Sequence, residues 1–170
     1  DSADTAPIAR IVDLQSTALL VAVGVLAAVA LALGLQALSR QLAGLGLGLR
    51  KPADTINDPG FYSLPNSRHQ FRDWKRGGHG VVDLRRSISQ SCDVYYYRLA
   101  VDMGIDRMHD YLAQFGLGEK TGIDLDGESA GLLPSRDWKQ RRFKQIWYPG
   151  ETVIAGIGQG YHLTTPLQLA

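Results

Sequence analysis

The sequence has a single cysteine, almost no net charge and no aromatic side chain in its first 60 residues. One cysteine, Cys92, excludes a disulfide within the chain and leaves the redox compartment open. The formal net charge of +1 gives no electrostatic case for binding nucleic acid. The four histidines are dispersed and form no local metal-binding motif. What is left is a chain long enough for one ordinary domain with an added segment.

Residues 18–35 form a run without any polar side chain. About 18 apolar residues are enough for a helix to cross a bilayer, so the run predicts a transmembrane helix. A buried, alanine-rich core helix and a low-complexity stretch are the alternatives. Basic residues such as Arg50 follow the run and acidic residues such as Asp13 precede it. This charge bias predicts that the C-terminal end of the helix faces the cytoplasm.

The same region carries a pattern of short strings around its small-residue run. The strings are Ile11-Val12-Asp13-Leu14-Gln15-Ser16-Thr17, Ala32-Leu33-Gly34-Leu35-Gln36, Leu42-Ala43-Gly44-Leu45 and Asp54-Thr55-Ile56. Together they resemble the pore-lining region of small-conductance mechanosensitive channels. The resemblance implies a membrane pore segment over residues 11–56.

The tripeptide Ser91-Cys92-Asp93 is predicted to lie where two helices meet. Upstream, Asp83 can accept hydrogen bonds from the free amides that open a helix. Downstream, Val94 and Tyr97 recur at helical spacing, and Gly104 ends the segment. A helix start with a serine cap would explain the tripeptide. The functional alternative is a hydroxyl and a carboxylate held rigidly at an accessible joint.

Turns, short strands and further helices surround this joint and predict an α+β fold. The predicted elements are strands over residues 61–64, 69–74 and 121–125, helices opening at Asp106, Ser135 and Thr165, and loops over residues 147–150 and 156–160. The triplet Lys120-Thr121-Gly122 has the letters of an active-site strand motif. It follows a helix C-terminus, where lysine complements the helix dipole, so we interpret it as structural.

Eight strings after residue 54 occur in the order and at the spacing of one enzyme family. They are Asp58-Pro59-Gly60, Arg72-Asp73-Trp74, Gly78-His79-Gly80, Ser91-Cys92-Asp93, Asp102-Met103-Gly104-Ile105-Asp106, Thr121-Gly122-Ile123-Asp124-Leu125, Trp138-Lys139-Gln140-Arg141-Arg142-Phe143 and Ile157-Gly158-Gln159-Gly160-Tyr161. They resemble the penicillin-binding protein 2 family, the elongation-specific peptidoglycan D,D-transpeptidases. The resemblance implies a partial penicillin-binding protein/serine β-lactamase-like domain over residues 54–170. The apolar, transmembrane segment of residues 1–53 would precede it.

Such enzymes use three motifs, and this sequence carries the second. The resemblance implies that the serine of a Ser-x-x-Lys motif attacks the D-alanyl-D-alanine carbonyl. Ser91 would relay a proton toward the leaving amine, with Asp93 in the place of the usual asparagine. A Lys-Thr-Gly type motif would bind the substrate carboxylate. No serine here has a lysine three residues later, and the third motif would follow Ala170. We therefore expect a fragment that by itself forms no penicillin acyl-enzyme.

Four further residues flank the predicted start of the helix that follows Ser91. Asp58, Asp73, His79 and Cys92 are of the types that a tetrahedral zinc site accepts, although spacing alone does not select them. The resemblance implies a zinc ion with ligands at these positions. A metal bound to Cys92 would fix the neighbouring second motif in place.

The resemblance also implies partners and a location. Peptidoglycan stem peptides and β-lactams would bind at the active site, and the membrane glycosyltransferase of the elongation complex would bind the enzyme. The implied location is the bacterial inner membrane with the transpeptidase part in the periplasm. That orientation conflicts with the charges around residues 18–35, and a chimeric or truncated chain would reconcile them. The alternatives are a channel-like pore segment fused to an inactive transpeptidase-like module, and an inactive interaction module that keeps the fold.

Overall fold

The computed structural model of the chain describes residues 43–124 and 126–169. Within those residues, no helix has the length and apolar character needed to cross a membrane. The apolar run of residues 18–35 lies outside the described residues, as does most of the region that resembles a channel. Both predictions therefore stay predictions.

The described residues contain short antiparallel strands and several helices, as predicted for an α+β fold. The strands are β1 (Ile56–Asp58), β2 (Phe61–Tyr62), β3 (Phe71–Arg72) and β4 (Gly80–Val82), and the helices are α1 (Leu84–Ser89), α2 (Asp93–Met103), α3 (Ile105–Ala113), α4 (Arg136–Phe143) and α5 (Pro149–Ala155), with a 3₁₀ turn over Leu167–Leu169. Strands β1 and β4 pair antiparallel, as do β2 and β3. We call these two strand pairs the two ribbons. They place three loops beside the start of α2: those after β1 and after β3, and the one before β4.

Side-chain caps begin two helices where the sequence predicts them. The Asp83 carboxylate accepts a hydrogen bond from the Arg86 amide at 2.7 Å, ahead of α1. The Ser135 hydroxyl oxygen accepts one from the Trp138 amide at 3.1 Å, ahead of α4. Each cap satisfies an amide that the first turn of a helix leaves without an intrahelical partner. Gly104, with a positive φ of 76°, separates α2 from α3 as predicted.

Helix α2 is the centre of the core. Tyr95 and Leu99 are almost fully buried on it, and the helix packs against both α3 and α5. On its other side, the Tyr97 hydroxyl donates a hydrogen bond to the Arg72 carbonyl in β3 at 3.2 Å, and its ring lies 6.0 Å from that of Phe71. Because neighbours hold α2 from several directions, the residues at its N-terminal end have fixed positions.

Two predicted elements are wrong. Residues 121–124 contain no strand, because the Glu128 carboxylate takes the amide hydrogens of Thr121 and Gly122 that a strand ladder would need. Residues 147–150 are only partly a loop, since α5 begins at Pro149. Proline suits the first turn of a helix, where its missing N–H has no intrahelical partner to lose.

Candidate functional site

The structure brings the four predicted metal ligands together in one buried cluster. Asp58 ends β1, Asp73 follows β3, His79 precedes β4, and Cys92 caps α2. One ligand atom of each lies within 4.8 Å of the others, and all four side chains are buried. Residues separated by up to 34 positions in sequence thus meet at one point.

The Asp58 carboxylate lies at the centre of this cluster. Its Oδ2 atom is 2.8 Å from His79 Nδ1 and 3.4 Å from Cys92 Sγ. The same oxygen accepts the His79 backbone amide at 2.8 Å, and Oδ1 accepts the Gly60 amide at 2.7 Å. Burial acts to raise the pKa of Asp58, but the hydrogen bonds from Gly60, His79 and Cys92 outweigh it and leave the pKa below its ordinary value. The cluster therefore contains a buried negative charge.

Asp73 connects the cluster to helix α2. Its Oδ1 atom lies 3.5 Å from His79 Nδ1 and accepts the Lys75 amide at 3.0 Å. Its Oδ2 atom accepts the Val94 amide at 3.2 Å, in the first turn of α2. A carboxylate at a helix N-terminus is stabilised by the helix dipole and by the free amides there. A movement of Asp73 would therefore be transmitted directly to the start of α2.

The donor set suits a tetrahedral zinc ion. Zinc takes nitrogen at about 2.0 Å and thiolate sulfur at about 2.3 Å, so its ligand atoms lie roughly 3.3–3.8 Å apart. The Asp58–Cys92 and Asp73–His79 separations of 3.4 and 3.5 Å lie in that range. The Asp58–His79 separation of 2.8 Å is a hydrogen-bond distance, which would lengthen by about 0.5 Å if both atoms bound one ion. Burial, followed by the charges of Asp58 and Asp73, raises the pKa of the Cys92 thiol to about 12. A cation at this point would offset the charge of the carboxylates and favour the thiolate.

Ser91 lies next to this cluster and is exposed. It follows α1 and precedes the cap of α2, with a positive φ of 50° that is uncommon for a residue carrying a Cβ. Its amide donates to the Ile88 carbonyl at 3.2 Å. Ser91, Trp74, Lys75 and His79 help to line an open cavity of about 560 Å³. Ser91 is therefore accessible to solvent, while a hydrogen bond to Ile88 holds its backbone.

Asp93, the other predicted catalytic residue, is the first residue of α2 and is only partly buried. Its Oδ2 atom accepts the Trp74 amide at 3.3 Å. Burial, and then the negative charge of Asp73, raises the pKa of Asp93 to about 6. Asp93 is thus joined through Trp74 to the loop that follows β3.

Sequence reasoning missed the contribution of Trp74. The residue entered only as part of the string Arg72-Asp73-Trp74, and composition gives no sign of its role. In the structure its indole N–H reaches the carbonyls of Gln90 and Ser91, at 3.1 and 3.0 Å. Its position next to Asp73, a predicted ligand, was the one available signal.

Comparison with known proteins identifies the family of the chain. The family model described as the penicillin-binding protein transpeptidase domain matches residues 39–170. The peptidoglycan D,D-transpeptidase MrdA of Acinetobacter baumannii is 50% identical over 129 residues, which are 76% of this chain and 19% of that protein. The chain thus spans about a fifth of the length of such curated relatives.

Solved structures give the same result. Pseudomonas aeruginosa PBP2, in complex with WCK 5153, matches 77% of this chain and 30% of its own with a TM-score of 0.75 and 50% identity. Helicobacter pylori PBP2, in complex with MreC, matches 80% of this chain and 25% of its own with a TM-score of 0.75 and 39% identity. These matches give no support to the channel alternative. The chain belongs to the penicillin-binding protein transpeptidase domain family, and the relatives named above are a peptidoglycan D,D-transpeptidase and two PBP2 structures.

Proposed function

We propose that the described residues carry the second catalytic motif of a peptidoglycan D,D-transpeptidase that acts in cell-wall elongation. The observation behind this proposal is the exposed Ser91 on a fixed backbone, lining a cavity of about 560 Å³ at the start of α2. A hydroxyl there can accept a proton on one side and donate one on the other, which is what a relay between a catalytic base and a leaving amine needs. The names of the relatives support the substrate class, peptidoglycan stem peptides, with β-lactams as mimics.

Asp93 has a supporting part in this proposal. It lies two residues from Ser91 and accepts the Trp74 amide, so it helps to fix the loop that forms one wall of the cavity. The nucleophilic serine and the motif that binds the substrate carboxylate are contributed by other parts of such a domain. Ser91 and Asp93 therefore assist a reaction in which another residue is the nucleophile.

We propose further that Asp58, Asp73, His79 and Cys92 hold a zinc ion with a structural role. When bound, the ion would supply a fixed positive charge that joins β1, the loop after β3 and the cap of α2. Two oxygens, one nitrogen and one sulfur, all atoms that zinc accepts as ligands, converge within 4.8 Å of one another. Because Cys92 follows Ser91 directly, the cluster sets where the serine lies. The role of the ion is to stabilise this joint and not to activate a substrate.

A metal-content measurement tests the zinc proposal. The purified chain is equilibrated with zinc, desalted, and assayed for bound metal by mass spectrometry, beside the variants Cys92→Ser and His79→Gln. His69→Gln is the matched control, because His69 is exposed and does not belong to the cluster. We expect one zinc per chain in the unmodified protein and in the control, and at least tenfold weaker binding in the two cluster variants. Unchanged zinc content in Cys92→Ser would refute the site.

The relatives also support a location and a class of partner. Helicobacter pylori PBP2 was solved in complex with MreC, and a structure 34% identical to this chain is described as a peptidoglycan synthase complex that coordinates polymerization and crosslinking. By analogy, we propose that the protein containing these residues works at the bacterial inner membrane, facing the periplasm. Its partner there would be a membrane glycosyltransferase of the elongation complex.

A further inference from the structure

Trp74 is an exposed side chain with an unusual set of directed contacts. Its relative exposure is 65%, so burial contributes little to holding it in place. Its indole N–H is shared between the carbonyls of Gln90 and Ser91, and its backbone amide donates to Asp93. Its ring centroid lies 5.4 Å from that of His79. One residue therefore contacts the end of α1, the second motif and the buried cluster.

The backbone at Ser91 needs such support. A positive φ brings the Cβ of an ordinary residue close to the following carbonyl, and the conformation persists only where the surroundings impose it. On the N-terminal side, the Ser91 amide bonds to Ile88 at 3.2 Å. On the C-terminal side, the Ser91 carbonyl accepts the Trp74 indole N–H at 3.0 Å. The N–H of the same peptide, on Cys92, donates to the Ser87 carbonyl at 3.0 Å, so the Trp74 bond holds the carbonyl side of a peptide whose amide side is bonded to α1.

We infer that Trp74 is a positioning residue for Ser91. Its indole N–H fixes the Ser91 carbonyl and, together with the Cys92 amide bonded to α1, keeps the serine in the left-handed conformation. That conformation leads the chain into α2 and leaves the serine exposed at the cavity. Asp73, its neighbour, holds the Val94 amide, so two consecutive residues hold both sides of the joint. Trp74 acts through Ser91 and does not need to contact substrate. This inference rests on the proposed relay function of Ser91.

The hydrogen bond itself can be observed in the unmodified chain. The sequence contains three tryptophans, so a ¹⁵N-labelled sample gives three indole N–H signals, and Trp74→Phe assigns one of them. We expect this signal to exchange with solvent at least tenfold more slowly than free indole, although the ring is largely exposed. We also expect Trp74→Phe to shift the Ser91 ¹³Cα and ¹³Cβ signals away from left-handed values. Exchange of the Trp74 signal at the rate of free indole in the unmodified chain would overturn the inference.

The functional test is a double-mutant cycle in the full-length transpeptidase that contains these residues. The second-order rate constant for acylation by a penicillin is measured for Trp74→Phe, Ser91→Ala and the double variant. Trp138→Phe is the matched control, since its ring packs on Phe143 and Tyr161. We expect about a tenfold loss for Trp74→Phe, the effect of removing one neutral hydrogen-bond donor that two carbonyls share. We expect no change in the control.

The cycle separates the two proposals. If Ser91→Ala has the rate of the unmodified enzyme, the relay function fails. If Ser91→Ala is slow and Trp74→Phe either has no effect or multiplies the loss independently, the relay stands and the positioning inference is wrong. If Trp74→Phe is slow by itself but causes no further loss when it is added to Ser91→Ala, the two residues act as one unit, as the inference requires.

Discussion

Gly77 and Gly78 are neighbours in one loop, and we expect alanine to have opposite effects at the two positions. A Cβ built on Gly78 would lie 2.2 Å from the Asp58 carbonyl oxygen and 2.4 Å from the Gly60 amide nitrogen, and its φ is +70°. A Cβ on Gly77 meets nothing within 4 Å, and its φ is not in the left-handed region. The two sites thus differ in space and in backbone conformation while sharing their surroundings in sequence.

The expected magnitudes follow from these distances. A left-handed residue with a Cβ costs roughly 1–2 kcal/mol. The overlap involves backbone atoms, so no side-chain rotation relieves it, and moving the loop adds about 1–3 kcal/mol. Gly78→Ala should therefore lower the free energy of unfolding by about 3 kcal/mol. Gly77→Ala should raise it by up to ~1 kcal/mol, because alanine reduces the conformational freedom of the unfolded chain.

Urea unfolding followed by far-ultraviolet circular dichroism measures both effects. With a slope of about 1.5 kcal/mol per molar urea, Gly78→Ala should move the midpoint down by roughly 2 M. The displaced loop carries His79 away from Asp58, so zinc binding by this variant should weaken as well. A Gly78→Ala midpoint equal to that of Gly77→Ala would refute the close approach of the loop to Asp58 and Gly60.

Two further predictions concern charged groups outside the cluster. The buried Lys139 ammonium pairs with Glu151, which is 22% exposed, so Glu151→Gln should cost about 3 kcal/mol in unfolding free energy while Lys139→Met costs about 1 kcal/mol or less. Equal losses of unfolding free energy in the two variants, measured with urea, would refute the expectation that an unpaired buried Lys139 costs more than an unpaired Glu151. Hydrogen bonds from Thr121 lower the pKa of Glu128 below its ordinary value of 4.5, so the stabilisation is present above that value and is lost as pH falls through the lowered pKa. The Thr121 amide proton shift should therefore titrate below pH 4.5, and Glu128→Gln should remove that transition.

Local signals in the sequence predicted the helix starts well. Asp83 and Ser135 are cap residues whose side chains reach amides only three positions away, so neighbouring letters contain the whole interaction. The strand over residues 121–125 failed because Glu128, a residue outside the predicted segment, takes its amides. Strands β1 and β4 were missed since each has three residues, too few for an alternating pattern to be recognised.

In the candidate site, too, local sequence signals did not reveal contacts between residues far apart in the chain. Spacing alone did not select Asp58, Asp73, His79 and Cys92, because the contacts that join them span 21 and 34 positions and depend on the pairing of short strands. Similarity to known sequences supplied the set, and the structure supplied the distances. The role of Trp74 could not be predicted in either way, since it depends on a hydrogen bond to a backbone carbonyl 17 positions away. Such a bond does not depend on the type of residue that supplies the carbonyl, so the sequence gives no sign of it.

The cluster also affects how this part of the chain opens. The cluster closes loops between four successive segments, and the chain has no disulfide that would close them instead. Bringing together two residues 34 positions apart lowers the entropy of the chain. That cost is offset only when all four side chains of the cluster are in contact. The segments from β1 to the first turn of α2 should therefore gain and lose amide protection as one cooperative unit, although their two ribbons are separate sheets. Substitution of any one of the four side chains should therefore lower amide protection throughout that unit.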